Sequence, residues 1–491
     1  MQSVIRTATI VGVDAREVEV QVDVSNGLPT FQIVGLGDAA VQEARERVRS
    51  AIRASGYDFP SARVVVNLAP APLRKYGTGF DLPIALALLI ATGQVKREHA
   101  EHTAVVGELA LDGGVRASGG LLAHALAAKR CGRRLLGPPE AASLASTVTG
   151  LHYIPLRRLA ELRSGLSEPC SAQPESPRVH QTPDLAEVAG HEVAKRALEV
   201  SAAGGHNMLF IGPPGSGKTM LARRLPSILP PLTDAERLDT ALVHSVAGID
   251  ERPALAGIRP FRAPHHTSST AGLVGGGSPP RPGEASLAHN GVLFLDELPE
   301  FGPAALQALR QPMEDRTLTL VRVDGRIAYP AAFTLVAAMN PCPCGYHGDR
   351  ERQCECTPGQ VAKYRGRVGG PLMDRIDLCV RMDRIDPQLL MQREPAGDTS
   401  EQVRERVMLA RERAQARGPA PKDRFGLLHS WALSTDAITS LAEAARTFQL
   451  SGRAVTRLLR VGRTIADLDG CDRVSPEHLE EAIGYRSWET T

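Results

Sequence analysis

Three patterns of apolar and polar positions divide the chain. From Arg16 to Val24 the two classes alternate, the period-two signature of a half-buried strand, and Arg63 to Leu68 is a β-branched run that reads the same way. Asp38 to Ser55 repeats apolar residues at helical spacing among charges. Asp81 to Thr92 is apolar almost all round, which requires a deeply buried helix. With Thr103 to Leu111, a glycine-rich turn and a helix from Gly120 to Cys131, these segments predict a mixed α/β domain over residues 1–166. Ser167 to Pro183 places Pro169, Pro174, Pro177 and Pro183 among polar residues with little to bury, and predicts a linker. A third pattern follows over residues 184–395: short continuous apolar runs at Asn207–Ile211, Gly291–Leu295 and Phe333–Met339, as expected of parallel strands buried on both faces. Met220 to Leu225 continues the first run at helical spacing, and Leu318 to Tyr329 predicts a hairpin turning at Asp324-Gly325. Over residues 396–491, Thr399–Arg417, Thr435–Phe448, Arg453–Leu468 and Pro476–Tyr485 predict helices, the last with Ser475-Pro476 as a start signal.

Composition narrows this picture only a little. The 491 residues suffice for two or three domains, and a net charge of +2 excludes a global basic field, so any polyanion site must be local. The longest apolar run, Leu82 to Ala91, is too short to span a bilayer, and the N-terminus carries no apolar signal segment; a cytoplasmic protein is expected. Of eight cysteines, four crowd between Cys342 and Cys356, unlike a secreted disulfide framework.

Chemistry enters at Gly212-Pro213-Pro214-Gly215-Ser216-Gly217-Lys218-Thr219, which fills every position of G-x-x-x-x-G-K-[ST] between a predicted strand and a predicted helix. The glycines let backbone N–H groups turn inward beside a helix N-terminus, an arrangement that receives a polyphosphate. Lys218 would reach the β- and γ-phosphates of ATP and Thr219 would ligate Mg2+. The run ending Leu295-Asp296-Glu297 supplies the complement: Asp296 to hold Mg2+ through water and Glu297 to polarise the attacking water.

Cys342-Pro343-Cys344 and Cys354-Glu355-Cys356 place four thiols on two arms of one polar loop, a set suited to structural Zn2+, with His347 as a spare ligand. An iron–sulfur cluster or free thiols fit the same spacing. The adjacent His265 and His266 are expected to pack and hydrogen-bond rather than bind metal, because neighbouring side chains seldom converge on one ion.

Several stretches carry a resemblance to AAA+ ATPases. Leu185 to His191 lies where that superfamily places the adenine pocket, which implies that Val188 and Gly190 border the base. Asn340 falls at the first sensor, Arg375 in Leu372-Met373-Asp374-Arg375-Ile376-Asp377-Leu378 at the arginine finger that enters a neighbouring subunit's nucleotide, and Arg453 in Ser451-Gly452-Arg453 at the second sensor. A surface salt bridge from Arg375 to Asp374 or Asp377 is the alternative. Phe261 to Thr267, Gly275-Gly276-Gly277 and the hairpin resemble the inserts of the magnesium-chelatase-like branch, which point into a ring's pore; there Arg322 and Arg326 would recur in every subunit and face DNA. Lys75-Tyr76-Gly77-Thr78-Gly79-Phe80-Asp81 and Gly119-Gly120-Leu121-Leu122 resemble the proteolytic domain of Lon-type proteases, with Gly79 and Leu122 at the positions of the catalytic serine and lysine.

The order of parts resembles the ComM/YifB family of magnesium-chelatase-like ATPases, specifically at Pro264-His265-His266-Thr267, Leu293 to Glu300 and Asn340 to Gly345. The fold implied is an α/β P-loop AAA+ core with a helical lid, after a Lon-protease-like (ribosomal S5 domain 2-like) α+β domain lacking the Ser-Lys dyad. The function implied is a hexameric DNA motor, a helicase driving branch migration on single-stranded and branched DNA in natural transformation. The alternative is a chelatase-type ATPase that remodels a protein partner or drives metal insertion. The missing serine and lysine count against an ATP-dependent protease.

Overall fold

The computed structural model describes residues 1–166, 183–322, 325–386, 397–418 and 433–486, with Gln388, Gly426, Leu427 and Trp431. The predicted linker, apart from Pro183, and the Asp324 half of the predicted hairpin turn lie outside the described residues.

The first unit is built on a seven-stranded mixed sheet in the order Thr30–Val34, Arg63–Ala69, Asp14–Ser25, Gln2–Val11, Thr103–Val105, Arg134–Gly137, Tyr153–Pro155. Its longest pairing, Gln2–Val11 against Asp14–Ser25, runs antiparallel from Gln2↔Asp23 to Val11↔Asp14. The first of these strands escapes a periodicity reading because hydroxyl residues occupy its buried face: Ser3, Thr7 and Thr9 are buried, and the Ser3 hydroxyl donates to the Ala87 carbonyl at 2.6 Å. The helix Ala39–Ala54 begins at Asp38, whose carboxylate accepts from the Val41 N–H at 3.0 Å. Asp81–Ala91 is buried along almost its whole circumference, as its composition requires. The stretch Thr103–Leu111 holds two short strands, Thr103–Val105 and Glu108–Leu109. The Gly107 N–H turns to the Gly79 carbonyl and interrupts the ladder.

The second unit holds a five-stranded parallel sheet in the order Phe261–Arg262, Val292–Leu295, Thr334–Met339, Met208–Ile211, Leu378–Arg381. Met208, Leu209 and Phe210 are fully inaccessible, the condition that continuous apolar runs announce. The helix after the glycine-rich loop is shorter than its spacing predicts: Lys218–Ala222 stops, and Leu225–Ile228 starts afresh. Pro226 has no N–H to donate back to Ala222, so one continuous helix cannot form. The four predicted C-terminal helices are present as Ser400–Arg417, Thr435–Thr447, Gly452–Leu468 and Pro476–Gly484. They share one continuous core with the sheet, Val403, Leu458 and Leu459 meeting Leu198 and Phe210 in the same cluster.

The helix Asp234–Ala247, for which the sequence raised no expectation, joins the two units. Its Ala241 and the preceding Leu232 lie in one apolar cluster with Leu121, Leu122 and Ala125 of the helix Leu121–Arg130. Ser245 receives that helix's N-terminal amides, Gly120 N–H on its carbonyl at 3.0 Å and Leu122 N–H on its hydroxyl at 3.3 Å.

Candidate functional site

At the carboxyl ends of three adjacent strands the chain turns out of the sheet, at Gly212, Asp296 and Asn340. The parallel register puts Ile211 beside Met339 and Leu295 beside Ala337, so the three segments emerge together, where α/β sheets place ligands. Gly215 and Gly217 have φ of +79° and +84°, left-handed conformations that favour glycine. A Cβ on Gly212 would stand 2.3 Å from the Met382 carbonyl oxygen, so only glycine fits there.

Lys218 opens the helix Lys218–Ala222 with its ammonium folded back over the loop, donating to the carbonyls of Gly212 at 2.7 Å and Pro213 at 2.8 Å and to Asn340 Oδ1 at 3.2 Å. Burial pulls its pKa down to about 8 against the opposing field of Asp296. The Thr219 hydroxyl donates to Asp296 Oδ2 at 2.7 Å, while Asp296 Oδ1 accepts the Glu297 N–H at 2.9 Å. Glu297 sits at φ +52°, a left-handed backbone rare outside glycine and of the kind that collects at functional sites. Its carboxylate lies 3.2 Å from His266 Nδ1. His265 bonds Thr267 Oγ1 at 2.9 Å, so both histidines engage protein groups.

Lys218, Thr219, Asp296, Glu297 and Asn340 thus converge, and the arrangement can bind a polyphosphate, hold a divalent cation between a hydroxyl and a carboxylate, and orient water with a second carboxylate. His266 joins this set, and so does His191, whose ring reaches the loop: a Cβ on Gly217 would lie 3.7 Å from its Nε2. His191 Nε2 and Ser216 Oγ are buried without a hydrogen-bond partner among the described residues, and burial lowers the His191 pKa. The sequence signal for His191 was its place ahead of a helix next to Gly190; for His266 it was the Pro264-His265-His266-Thr267 stretch, which carried the family resemblance without assigning the histidine a role. Val188 is wholly buried in the core and Gly190 has φ +62°. A cleft of about 510 Å³ opens beside Gly212 and Pro213, walled by the cysteine loop, the strand Leu378–Arg381 and Tyr485.

The arginines are placed apart from this cluster. Arg375 donates to the Pro371 carbonyl at 2.6 Å and to Glu314 Oε1 at 2.5 Å, not to Asp374 or Asp377. Those two acids are turned elsewhere, Asp377 accepting the Asn207 N–H at 3.0 Å and Asp374 lying 3.8 Å from Arg457. Arg453 is exposed on the first turn of Gly452–Leu468, behind the Ser451 cap. Arg322 and Arg326 are exposed at the end of the hairpin Thr317–Arg322/Gly325–Pro330. The hairpin touches the glycine-rich insert: the Tyr329 hydroxyl donates to the Pro280 carbonyl at 3.1 Å, and a Cβ on Gly276 would lie 3.7 Å from Arg322 Nη2.

The four clustered cysteines meet. Cys342, Cys344 and Cys354 have Sγ–Sγ separations of 3.3, 3.5 and 3.6 Å, and with Cys356 all four sulfurs lie within 4.8 Å of one another.

Comparison with known proteins agrees with this geometry. Residues 184–390 match the family described as "Magnesium chelatase, subunit ChlI", residues 20–141 match "Subunit ChlI of Mg-chelatase", and residues 397–486 match "Magnesium chelatase, subunit ChlI C-terminal". The uncharacterized protein YifB of Salmonella typhimurium is 43% identical over 495 residues, covering 99% of this chain and 97% of its own. Competence protein ComM of Haemophilus influenzae is 41% identical over 505 residues, with the same coverage. The chain belongs to the ComM/YifB magnesium-chelatase-like family. As a member of that family it is an AAA+ ATPase, a class that uses ATP and Mg2+. Two partial likenesses accompany these. One is to DNA replication licensing factor mcm6 of Dictyostelium discoideum, 24% identical over 214 residues, 40% of this chain and 21% of that protein. The other is to Lon protease 2 of Bacillus subtilis, 28% over 184 residues, 34% of this chain and 30% of that protein. No helix among the described residues is long and apolar enough to cross a membrane.

Proposed function

We propose that this ComM/YifB-family ATPase is a ring-forming motor that moves DNA through its pore, as a hexameric helicase acting on single-stranded and branched DNA. Residues Gly212–Thr219 with Asp296 would hold Mg-ATP, which supplies the phosphoryl group transferred to water. Glu297 orients that water, with Asn340 beside Lys218 as the sensor; Arg375 completes the site of the next subunit, and Arg453 on the lid reads the γ-phosphate. Asp296 is already aligned by Thr219, whereas Glu297 is engaged by His266 at 3.2 Å and must be turned toward the nucleotide for turnover.

The observation that carries the DNA reading is the hairpin end with Arg322 and Arg326, exposed and backed by the insert at Gly276 and Pro280. Repeated around a ring, these guanidiniums would concentrate positive charge in a chain of net charge +2. The partial likeness to a DNA replication licensing factor supports it. ATPase rates with and without single-stranded and branched DNA test the reading. DNA is expected to stimulate turnover in a salt-sensitive way, and Arg322→Ala with Arg326→Ala to abolish the stimulation while sparing basal hydrolysis. No stimulation and no salt-dependent binding would end it. The match to magnesium chelatase subunits over residues 184–390 favours a second reading, a chelatase-type remodeller of a protein partner, which predicts ATPase indifferent to DNA. Residues 1–166 are read as a Lon-like domain retained as scaffold. Gly79 and Leu122 cannot supply a nucleophile and base, and the Leu122 N–H is occupied in docking to Ser245.

A further inference from the structure

Asn340 directly follows the central strand Thr334–Met339 and contacts Lys218; the next residue opens an irregular segment, 341–357, and helical structure returns at Pro358. A stretch of that length without secondary structure needs something other than a core to hold it, and this one has little: Cys342 is buried, but most of Gly345 to Glu355 is exposed or half-exposed. Yet its position is strongly constrained. Gly345, at φ +87°, brings its backbone so close to the phosphate loop that a Cβ would stand 2.7 Å from Pro214 Cδ. On the other side the Gly348 carbonyl accepts from Arg381 at 2.6 Å and Asp349 pairs with Arg384 at 3.0 Å, while Arg384 and Arg352 flank the Tyr346 ring.

The four sulfurs close this loop into a ring of chain. In a tetrahedral zinc–thiolate site, zinc–sulfur bonds of about 2.3 Å set the sulfurs about 3.8 Å apart. The separations of 3.3, 3.5 and 3.6 Å approach that spacing and are far longer than a disulfide's, about 2.05 Å. Backbone donors point at the sulfurs, His347 N–H to Cys342 Sγ at 3.3 Å and Cys356 N–H to Cys354 Sγ at 3.4 Å, the outer-shell support that thiolate ligands receive.

We propose that Cys342, Cys344, Cys354 and Cys356 bind one zinc ion as thiolates, releasing their protons to solvent, and that this clasp seats Gly345 against Pro214 and so fixes the phosphate loop for nucleotide. The assignment rests on the nucleotide reading of Gly212–Thr219 only for its second half; the metal is measurable whatever the chain hydrolyses.

The experiment uses the full chain purified under reducing conditions without added metal. Elemental analysis is expected to give one zinc per chain, and cobalt exchanged into the site the ligand-field spectrum of tetrahedral cobalt–thiolate. Cys354→Ser is expected to lose the metal, to become cleavable by protease within 341–357, and to bind a fluorescent ATP analogue several-fold more weakly. Should that variant fail to fold, Gly345→Val keeps all four cysteines: zinc is expected at full occupancy with the same loss of analogue affinity. Iron with visible charge-transfer absorption, or no stoichiometric metal, would overturn the zinc site. Zinc present but analogue affinity unchanged in Gly345→Val and after chelation would overturn the coupling to the phosphate loop. Wild-type protein that binds zinc but no ATP analogue would overturn the nucleotide reading instead.

Discussion

Lys218 offers a prediction in which a proton reports on the site. Its ammonium is buried over the phosphate loop, and that burial pulls its pKa down to about 8 against the field of Asp296 and the two carbonyls and amide oxygen to which it donates. A bound polyphosphate would restore the charged form, raising the pKa toward the ordinary value of about 10.4. The sign follows: the pKa is higher in the complex than in the free protein, so binding takes up a proton and weakens as pH rises through the free-state value. With these values, about three-quarters of Lys218 is neutral at pH 8.5, giving an uptake of about 0.7 proton per site, against about 0.1 at pH 7. Affinity for Mg-ATP should fall about fourfold between pH 7 and 8.5 and about tenfold by pH 9. Calorimetry at pH 8.5 in buffers of different ionisation enthalpy measures the uptake directly. Lys218→Arg, whose guanidinium does not titrate, should abolish the buffer dependence of whatever binding survives. Identical heats in all buffers at pH 8.5, with affinity flat from pH 7 to 9, would refute the reasoning.

Arg375→Ala should cut ATP turnover by roughly 10³ to 10⁵ if the guanidinium acts on a neighbour's nucleotide, whereas Glu314→Gln, which only frees it, should leave turnover near wild type. Mixing Arg375→Ala with Lys218→Ala subunits should restore part of the activity, and no restoration would refute action in trans. In the N-terminal unit, Asp81 is fully buried and paired with Arg47 at 2.7 Å; burial pushes the carboxyl up to about 6 in spite of the guanidinium. Arg47→Ala should therefore let the Asp81 carboxyl take up a proton near neutral pH and cost about 1–3 kcal/mol in urea unfolding of that unit, the cost growing as pH rises above 7. Ser245→Val should leave the Leu122 N–H unsatisfied and cost about 1–3 kcal/mol, read as earlier protease cleavage between the two units with ATP hydrolysis retained.

What the sequence disclosed and what it hid divide along a physical line. Elements whose side chains have one job were legible: Met208–Ile211 and Val292–Leu295 because both faces are covered, Asp81–Ala91 because every face is, and the phosphate loop because its spacing admits few other uses. Asp296 was paired with the phosphate loop as its expected acidic complement, and Asn340 was placed beside them only by the AAA+ resemblance; the structure brings Asn340 Oδ1 to Lys218 at 3.2 Å. Elements that answer to a distant partner were not legible. Arg375 was weighed against Asp374 and Asp377 because they are neighbours in sequence, but its guanidinium finds Glu314, sixty-one residues away along the chain. The strand Gln2–Val11 hides its buried face behind hydroxyls, of which Ser3 donates to the carbonyl of Ala87 and Thr9 to that of Arg74.

The helix Asp234–Ala247 makes the same point with a consequence for function. Its start carried a readable signal, Thr233 and Glu236 forming a reciprocal cap, but its apolar residues face Leu121–Arg130 of the other unit rather than its own sheet. A pattern read one domain at a time leaves such a helix without a reason to exist. The same helix is also tied to the segment before the ATPase strand that leads to Asp296 and Glu297: Asn290 donates to Thr240 Oγ1 at 3.2 Å, and His244 bonds the Leu287 carbonyl at 3.0 Å. Burial lowers the pKa of His244, so at neutral pH that bond is made by an uncharged imidazole. One helix thus bonds the segment leading into the acidic pair and, through Ser245, caps the first unit. Displacing the strand Val292–Leu295 would have to strain the Ser245 contacts or carry the first unit along. The N-terminal unit is therefore packed, through this one helix, onto the segment that leads into Asp296 and Glu297.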